Sequence, residues 1–130
     1  MGLNERRKIK ELQETTFPGR VQEIQEICGK AIPYEVDWES LADDAEGLNF
    51  IDNLSCHRLN MALRVICMDE MGKEAVREGL RLIKLANVKE KSQMSLAFEK
   101  GVLEMRCAYA LRTDGMWSDN EIRELLVKKL

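Results

Sequence analysis

The sequence predicts an α+β fold with a small antiparallel sheet and with helices packed mainly on one face of that sheet. Apolar residues recur at helical spacing over 53–71 and 118–130, whereas they alternate with polar residues over 31–38 and 93–109. The chain has 130 residues, 45% of them hydrophobic, which suffices for the core of one domain and leaves no room for a second. We therefore expect a single domain over residues 1–130.

Two helices are predicted at the N-terminal end. Strong helix formers with only two apolar anchors predict that residues 1–16 form a mostly solvated helix that is loosely attached. The run 15–19 is expected to interrupt it. A second helix then begins near Pro18, because proline suits a first helical turn, and ends at Gly29.

The middle of the chain predicts a strand followed by a long helix. Alternation over 31–38 indicates the strand, and Pro33 places it at a sheet edge because proline has no N–H to donate. A short helix is expected over 39–46. The longest helix is predicted from 52 or 53 to 71, with Gly72 as its terminator.

This longest helix is apolar on two sides. One side carries Cys56, Leu59, Ala62, Leu63, Ile66 and Cys67. The other side carries Leu54, Met61, Val65 and Met68. A helix of this kind is either central in the fold or faces a partner subunit, and we favour the central position.

After a short helix over 73–78, residues 80–109 predict a three-stranded antiparallel meander, with 31–38 as a candidate edge strand. Lys100–Gly101 fits a two-residue turn. The register that keeps the apolar side chains on one face pairs Phe98 with Leu103, Leu96 with Met105, and Met94 with Cys107. The last helix begins at Ser118, where Glu121 completes a capping box.

The net charge of -3 is unevenly distributed. Seven acidic residues and no lysine or arginine fall in one part of the chain, here called the acidic segment: Glu35, Asp37, Glu39, Asp43, Asp44, Glu46 and Asp52. It can be a solvated surface, a docking face for a basic partner, or a source of paired carboxylates for acid–base or metal chemistry. No spacing selects a pair, so we favour the first interpretation.

Composition also excludes several classes of protein. No run approaches the roughly 18 apolar residues of a membrane span, and the charged N-terminal residues have no apolar core behind them as in a signal peptide. A pI near 5.3 argues against nucleic-acid binding. We expect a cytoplasmic protein with four buried free thiols, at Cys28, Cys56, Cys67 and Cys107.

Cys56 and His57 are the first candidates for chemistry, because His57 is the only histidine. Sequence neighbours on a helix diverge by about 100°, so these two cannot act together as nucleophile and base. A zinc site would need four ligands, and no spacing in the chain supplies them. We expect a structural thiol and a histidine at the boundary of the core.

Residues 113–121 resemble the second half of an EF-hand calcium loop. Asp114, Gly115, Ser118 and Glu121 stand at its fifth, sixth, ninth and twelfth positions. The first and third positions fall on Ala110 and Arg112, which offer no oxygen ligand. We therefore expect a turn followed by a capping box and not a calcium site.

The sequence thus predicts no catalytic, cofactor-binding or metal-binding residues. Our first hypothesis is a non-catalytic protein-interaction or regulatory module, whose partner is a basic protein or a second copy in a homodimer, with neither nucleic acid nor membrane as a partner. The competing hypothesis is a small enzyme or ligand-binding domain. Its pocket would lie between sheet and helices, near Cys56, His57 and a carboxylate such as Asp37 or Asp52 of the 35–52 run.

Overall fold

The computed structural model describes residues 2–130 and contains a four-stranded mixed sheet among six α-helices within those residues. The strands are β1 (Tyr34–Val36), β2 (Leu82–Asn87), β3 (Ser95–Glu99) and β4 (Val102–Cys107). Their order in the sheet is β1-β2-β4-β3. The α+β class is therefore confirmed, while Met1 of the predicted domain lies outside the described residues.

The predicted antiparallel meander is wrong in its strand order and direction. β4 lies between β2 and β3, and it pairs in parallel with β2, from Leu82 opposite Val102 to Asn87 opposite Cys107. β1 also pairs in parallel with β2. Only β3 is antiparallel to its neighbour β4. Alternation in a sequence assigns side chains to a face of the sheet, but it carries no information on which strands are neighbours.

Burial explains why β2 and β4 take the centre of the sheet. The inward-facing Ile83 and Leu85 of β2 are buried, and so are the inward-facing Leu103 and Met105 of β4. The outer strand β3 has a shorter buried face and ends in the exposed Glu99. Strands whose inward-facing side chains are all apolar would lose the most burial free energy at a sheet edge, because solvent reaches the side chains there.

The predicted hairpin between β3 and β4 is confirmed in two of its three predicted pairs, whereas Met94 lies before β3 and does not pair with Cys107. Phe98 stands opposite Leu103, and Leu96 stands opposite Met105. Lys100 and Gly101 both have positive φ, at 53° and 81°, as a two-residue turn of this hairpin type requires. The edge position of β1, predicted from Pro33, is also confirmed.

The N-terminal helices are continuous, so the predicted interruption at 15–19 is wrong. Helix α1 (Leu3–Glu11) passes through a π-helical turn (Leu12–Thr16) into α2 (Phe17–Cys28). Pro18 lies in the first turn of α2, directly after the π turn that widens the continuous helix. α2 ends at Gly29, whose φ of 83° is left-handed, as predicted.

The long central helix begins and ends earlier than predicted. It is formed by α3 (Ala45–Ile51), a π-helical turn (Asp52–His57) and α4 (Arg58–Ile66), after a short 3₁₀ helix (Trp38–Leu41) that replaces the predicted helix over 39–46. α4 is central, as favoured above, because it packs against both α2 and α6 (Asp119–Lys129).

Gly72 does not terminate this helix but lies inside the next one, α5 (Glu70–Gly79), which extends the predicted helix over 73–78. The Asp69 carboxylate accepts a hydrogen bond from the Gly72 N–H at 2.7 Å and caps α5. A Cβ at position 72 would lie 1.7 Å from the carbonyl oxygen of Ile66. Glycine is required here because the start of α5 touches the end of α4.

The predicted capping box of the last helix is confirmed. The Ser118 hydroxyl accepts from the Glu121 N–H at 3.1 Å, and the Glu121 carboxylate accepts from the Ser118 N–H at 3.2 Å. Ile122 and Leu126 of α6 are buried, whereas the terminal Leu130 is exposed.

A buried polar network closes the carboxyl end of β2. The Asn87 amide donates to the Ser40 carbonyl and to the Asp44 carboxylate, both at 3.0 Å. Its oxygen accepts from the Tyr109 N–H at 3.3 Å. The hydroxyls of Tyr109 and Ser55 lie 2.6 Å apart. One side chain thus ties the sheet to the segments before α3 and after β4.

We predict that Asn87→Ala lowers the free energy of unfolding by about 3 kcal/mol, because it leaves a buried N–H and a carbonyl without partners. Urea denaturation at neutral pH measures this change. Asn120→Ala, at an exposed position of α6, is the control and should change stability by less than about 0.5 kcal/mol. Equal stability of the two variants would contradict a structural role for the network.

Candidate functional site

The carboxyl edge of the parallel strands is where ligands bind in many sheets of this kind. Here the Asn87 network occupies that edge, together with the 3₁₀ helices Trp38–Leu41 and Tyr109–Gly115. Tyr109 and Ser55 are fully buried within it. The edge therefore serves packing in this fold, and the candidate site has to be sought elsewhere.

Cys56 and His57 lie in the π-helical turn Asp52–His57, and they occupy different environments. Cys56 is fully buried, and burial, with the nearby Asp52 carboxylate, raises the pKa of its thiol well above the usual range. His57 is half-buried. The structure brings Cys56 together with Tyr34 and Asp52, whereas Asp37 caps the 3₁₀ helix that follows β1.

The acidic segment is distributed over caps and ion pairs with other parts of the chain. Asp44 accepts from the Gly47 N–H at 2.8 Å at the start of α3. Three further carboxylates pair with cations from outside the segment, namely Glu35 with Lys84 at 3.3 Å, Glu46 with Arg112 at 3.6 Å, and Asp52 with Arg20 at 2.8 Å. The charge imbalance along the sequence is thus partly neutralised by the fold.

The densest of these polar contacts surrounds Arg20 of α2. Its guanidinium donates two hydrogen bonds to the Asp52 carboxylate, at 2.8 and 2.9 Å, and a third to Glu23 at 3.0 Å. The buried Asn60 also donates to Glu23, at 2.8 Å. This bidentate geometry holds α2 against the π-helical turn and raises the pKa of Arg20 further. The cluster joins helices and lines none of the grooves described below.

The residues that resemble half of an EF-hand loop form no ion-binding cradle. Asp114 is exposed in the 3₁₀ helix Tyr109–Gly115, and Glu121 is engaged in the capping box with Ser118. Within residues 2–130, no group of three or more histidine, cysteine or acidic side chains is placed to hold a metal ion.

Most of the exposed apolar side chains come from segments that adjoin one another. Among residues 2–130, seven large apolar side chains are exposed. Five of them, here called the apolar surface, are Val65 (45% exposed), Met68 (82%), Met71 (81%), Val127 (62%) and Leu130 (36%). They come from the end of α4, the turn after it, the start of α5 and the end of α6. Apolar clusters on this scale mark interaction sites in many proteins.

A groove between α5 and the end of α6 joins these segments. Its apolar half has a volume of about 330 Å³ and is lined by Ile66, Met71, Ala75, Val127 and Leu130. A wider, more polar half of about 630 Å³ continues from Ala75 and Leu130 towards Glu78, Lys100 and Lys129. The small residues Gly72, Ala75 and Gly79 of α5 keep the floor of the groove low.

Part of the apolar surface could be predicted from the sequence. Val65 and Met68 belong to the second apolar side of the central helix, the side that would face a partner subunit. Leu54, on the same predicted side, is buried, because the π-helical turn changes the helical phase before α4. Met71 and Val127 carry no such signal. Met71 is a single apolar residue between Glu70 and Gly72, and Val127 continues the apolar run of Leu125 and Leu126, so its exposure does not follow from the sequence.

The chain matches no protein-family model, and comparisons with curated proteins and with solved structures return no match. None of the helices within residues 2–130 combines the length and the apolar character that crossing a membrane requires.

The contacts of Glu23 make the stability of the fold depend on pH. Partial burial alone would raise the pKa of Glu23, but hydrogen bonds from Asn60 and Arg20, with the charges of Arg20 and Arg64, hold it below the usual range. A carboxyl group with a lowered pKa in the folded state stabilises the fold above its unfolded pKa, and this contribution is lost as the pH falls through the folded value.

We therefore predict that Glu23→Gln costs about 1 kcal/mol at pH 7, a modest value because the side chain is partly exposed. The difference from the wild type should shrink below about pH 4. Urea denaturation across this pH range measures both effects. Glu26→Gln, one turn along α2, is the matched control, and a pH-independent cost of Glu23→Gln would contradict the role of its charge.

Proposed function

We propose that the protein is a non-catalytic protein-interaction module that associates with a second copy of itself through the apolar surface. The observation that carries this proposal is a groove lined by three exposed apolar side chains, Met71, Val127 and Leu130, with the exposed Val65 and Met68 close by in the chain. The other two exposed apolar side chains, Leu3 and Leu111, lie in α1 and in the 3₁₀ helix after β4.

The exposed methionines support an interface. Burying a methionine side chain gains roughly 1.5–3 kcal/mol relative to leaving it in water. Met68 is 82% exposed and Met71 is 81% exposed, so most of this burial free energy is not gained in the isolated chain. Methionine is also unbranched and adaptable, so it fills an irregular partner surface with little strain.

The shape of the surface supports a second copy as the partner. Met68 and Met71 are highly exposed, and Met71 lines a groove whose floor is low at Ala75. A two-fold axis near Met71 would place the methionines of each copy into the groove of the other. Such an arrangement uses the same patch twice, as the common two-fold dimers do.

The charges near the groove are compatible with close approach of two copies. Asp69 lies at its apolar end, where the carboxylate already accepts from the Gly72 N–H. Glu70 pairs with Arg77 at 3.1 Å along α5. Both carboxylates are thus engaged within the chain, so apolar contacts can dominate the association.

We predict that the wild-type protein forms dimers with rising concentration and that Met68→Glu/Met71→Glu prevents this. Both side chains are more than four-fifths exposed, so the substitutions should leave folding intact, and a glutamate in the first turn of α5 suits the helix dipole. Sedimentation velocity from about 1 μM to about 1 mM, at low and high salt, measures the dissociation constant.

Leu111→Glu is the matched control because it places the same charge at an exposed apolar position outside the apolar surface. We expect it to dimerise as the wild type does. A wild type that stays monomeric over the whole range would overturn the proposal. Dimers that persist in the double variant would assign the association to another surface, and dimers lost at high salt would assign it to charged contacts.

A further inference from the structure

Two of the four cysteines lie side by side. Cys28 is the last residue of α2, and Cys67 directly follows the last residue of α4. The Cys67 thiol donates to the Cys28 sulfur, with 3.1 Å between the two Sγ atoms, and both cysteines are free. A disulfide joins its sulfurs at about 2.05 Å, so a movement of about 1 Å would bring this pair within bonding distance.

The position of the two cysteines at helix ends makes such a movement feasible. Gly29, immediately after Cys28, is in the left-handed conformation. Cys67 itself has φ of -88° and ψ of 14°, so the chain leaves the helix at this residue. Backbone at a helix end is held by fewer intrahelical hydrogen bonds than backbone within a helix, so it adjusts at a lower cost.

We propose that Cys28 and Cys67 form a reversible intramolecular disulfide when the protein is exposed to a hydroperoxide. This disulfide is independent of self-association, because it joins two residues within one chain. It makes this pair a redox modification site that connects the ends of α2 and α4.

The chemistry balances with hydrogen peroxide as the oxidant. The Cys67 thiolate attacks one peroxide oxygen, the O–O bond breaks, and hydroxide leaves and takes up the thiol proton as water. The Cys28 sulfur then attacks the sulfenic sulfur of Cys67, the S–O bond breaks, and a second water leaves with the remaining thiol proton. Each cysteine sulfur loses one electron, and the peroxide gains two.

The surroundings of the pair set its rate of oxidation. Burial raises the pKa of both thiols, while the charges of Lys73 and Arg77 act in the opposite direction, and Asp69 adds to the increase at Cys67. Cys67 keeps slight exposure, and Cys28 has none, so Cys67 is the thiol that meets the oxidant first. We expect slow oxidation, because the thiolate is the reacting form.

The other two cysteines provide an internal comparison. Cys56 lies beside Tyr34 and Asp52. Cys107 lies beside the Ser55 hydroxyl at 3.7 Å. Both are completely buried, and each lies beside a hydroxyl or carboxylate oxygen. We expect these two thiols to stay reduced under conditions that oxidise Cys28 and Cys67.

The test uses the full-length protein, reduced, freed of reductant and incubated with hydrogen peroxide. After denaturation and alkylation, we expect two labelled thiols instead of four, and non-reduced peptide mapping should find Cys28 linked to Cys67. Dithiothreitol should restore four thiols. The linked form should also melt several degrees higher, because the bond closes a long loop of the unfolded chain.

Cys67→Ser should abolish the linked peptide and the shift in melting temperature, whereas Cys107→Ser, the control, should keep both. Mapping of the wild type decides the question without any variant, should Cys67→Ser fail to fold. Four thiols that remain free after prolonged oxidation would overturn the proposal. A link that involves Cys56 or Cys107, or that joins two chains, would overturn it as well.

Discussion

The parallel pairing of β2 with β4 is the constraint on which the rest of the structure depends. It places Asn87 and Cys107 side by side at one edge of the sheet, and it makes the segment over 88–94 pass the end of β4 before β3 begins. β1 is also parallel to β2, and a parallel pair cannot be joined by a tight turn. The crossover from β1 to β2 is therefore long and helical. The helices of this crossover cover the inward face and form much of the core.

Residues of both proposed sites lie at the end of α4, within this crossover. The chain must turn sharply there to start α5, and the close approach at Gly72 leaves no room for a side chain. Cys67 at this turn meets Cys28 of α2 inside the fold, while the next residue, Met68, points into solvent. The proposed disulfide pair and the proposed association surface therefore lie next to each other in the chain, one inside and one outside.

The candidate site was only partly predictable from the sequence. Val65 and Met68 could be recognised from the sequence, because they lie on a second apolar side of the helix. That side stays exposed when only the first side packs against the core. Met71 and Val127 could not be recognised, since single apolar residues are common on protein surfaces. Cys28 and Cys67 are separated by 39 positions, and nothing local in either helix indicates that they meet. The acidic segment was conspicuous in the sequence, but its carboxylates cap helices and pair with distant cations such as Arg20 and Lys84.

The sequence by itself determined the features that depend on neighbouring residues. These are the α+β class, the β3–β4 hairpin with its Lys100–Gly101 turn, the capping box at Ser118 and the glycine end of α2. Each follows from local backbone chemistry or from the period of apolar residues. Only the tertiary structure decided the order of the strands, the phase change at the π-helical turn, and which residues lie beside each cysteine. These features depend on which buried surfaces fit together over long separations in the chain, and a one-dimensional pattern of polarity does not specify that fit.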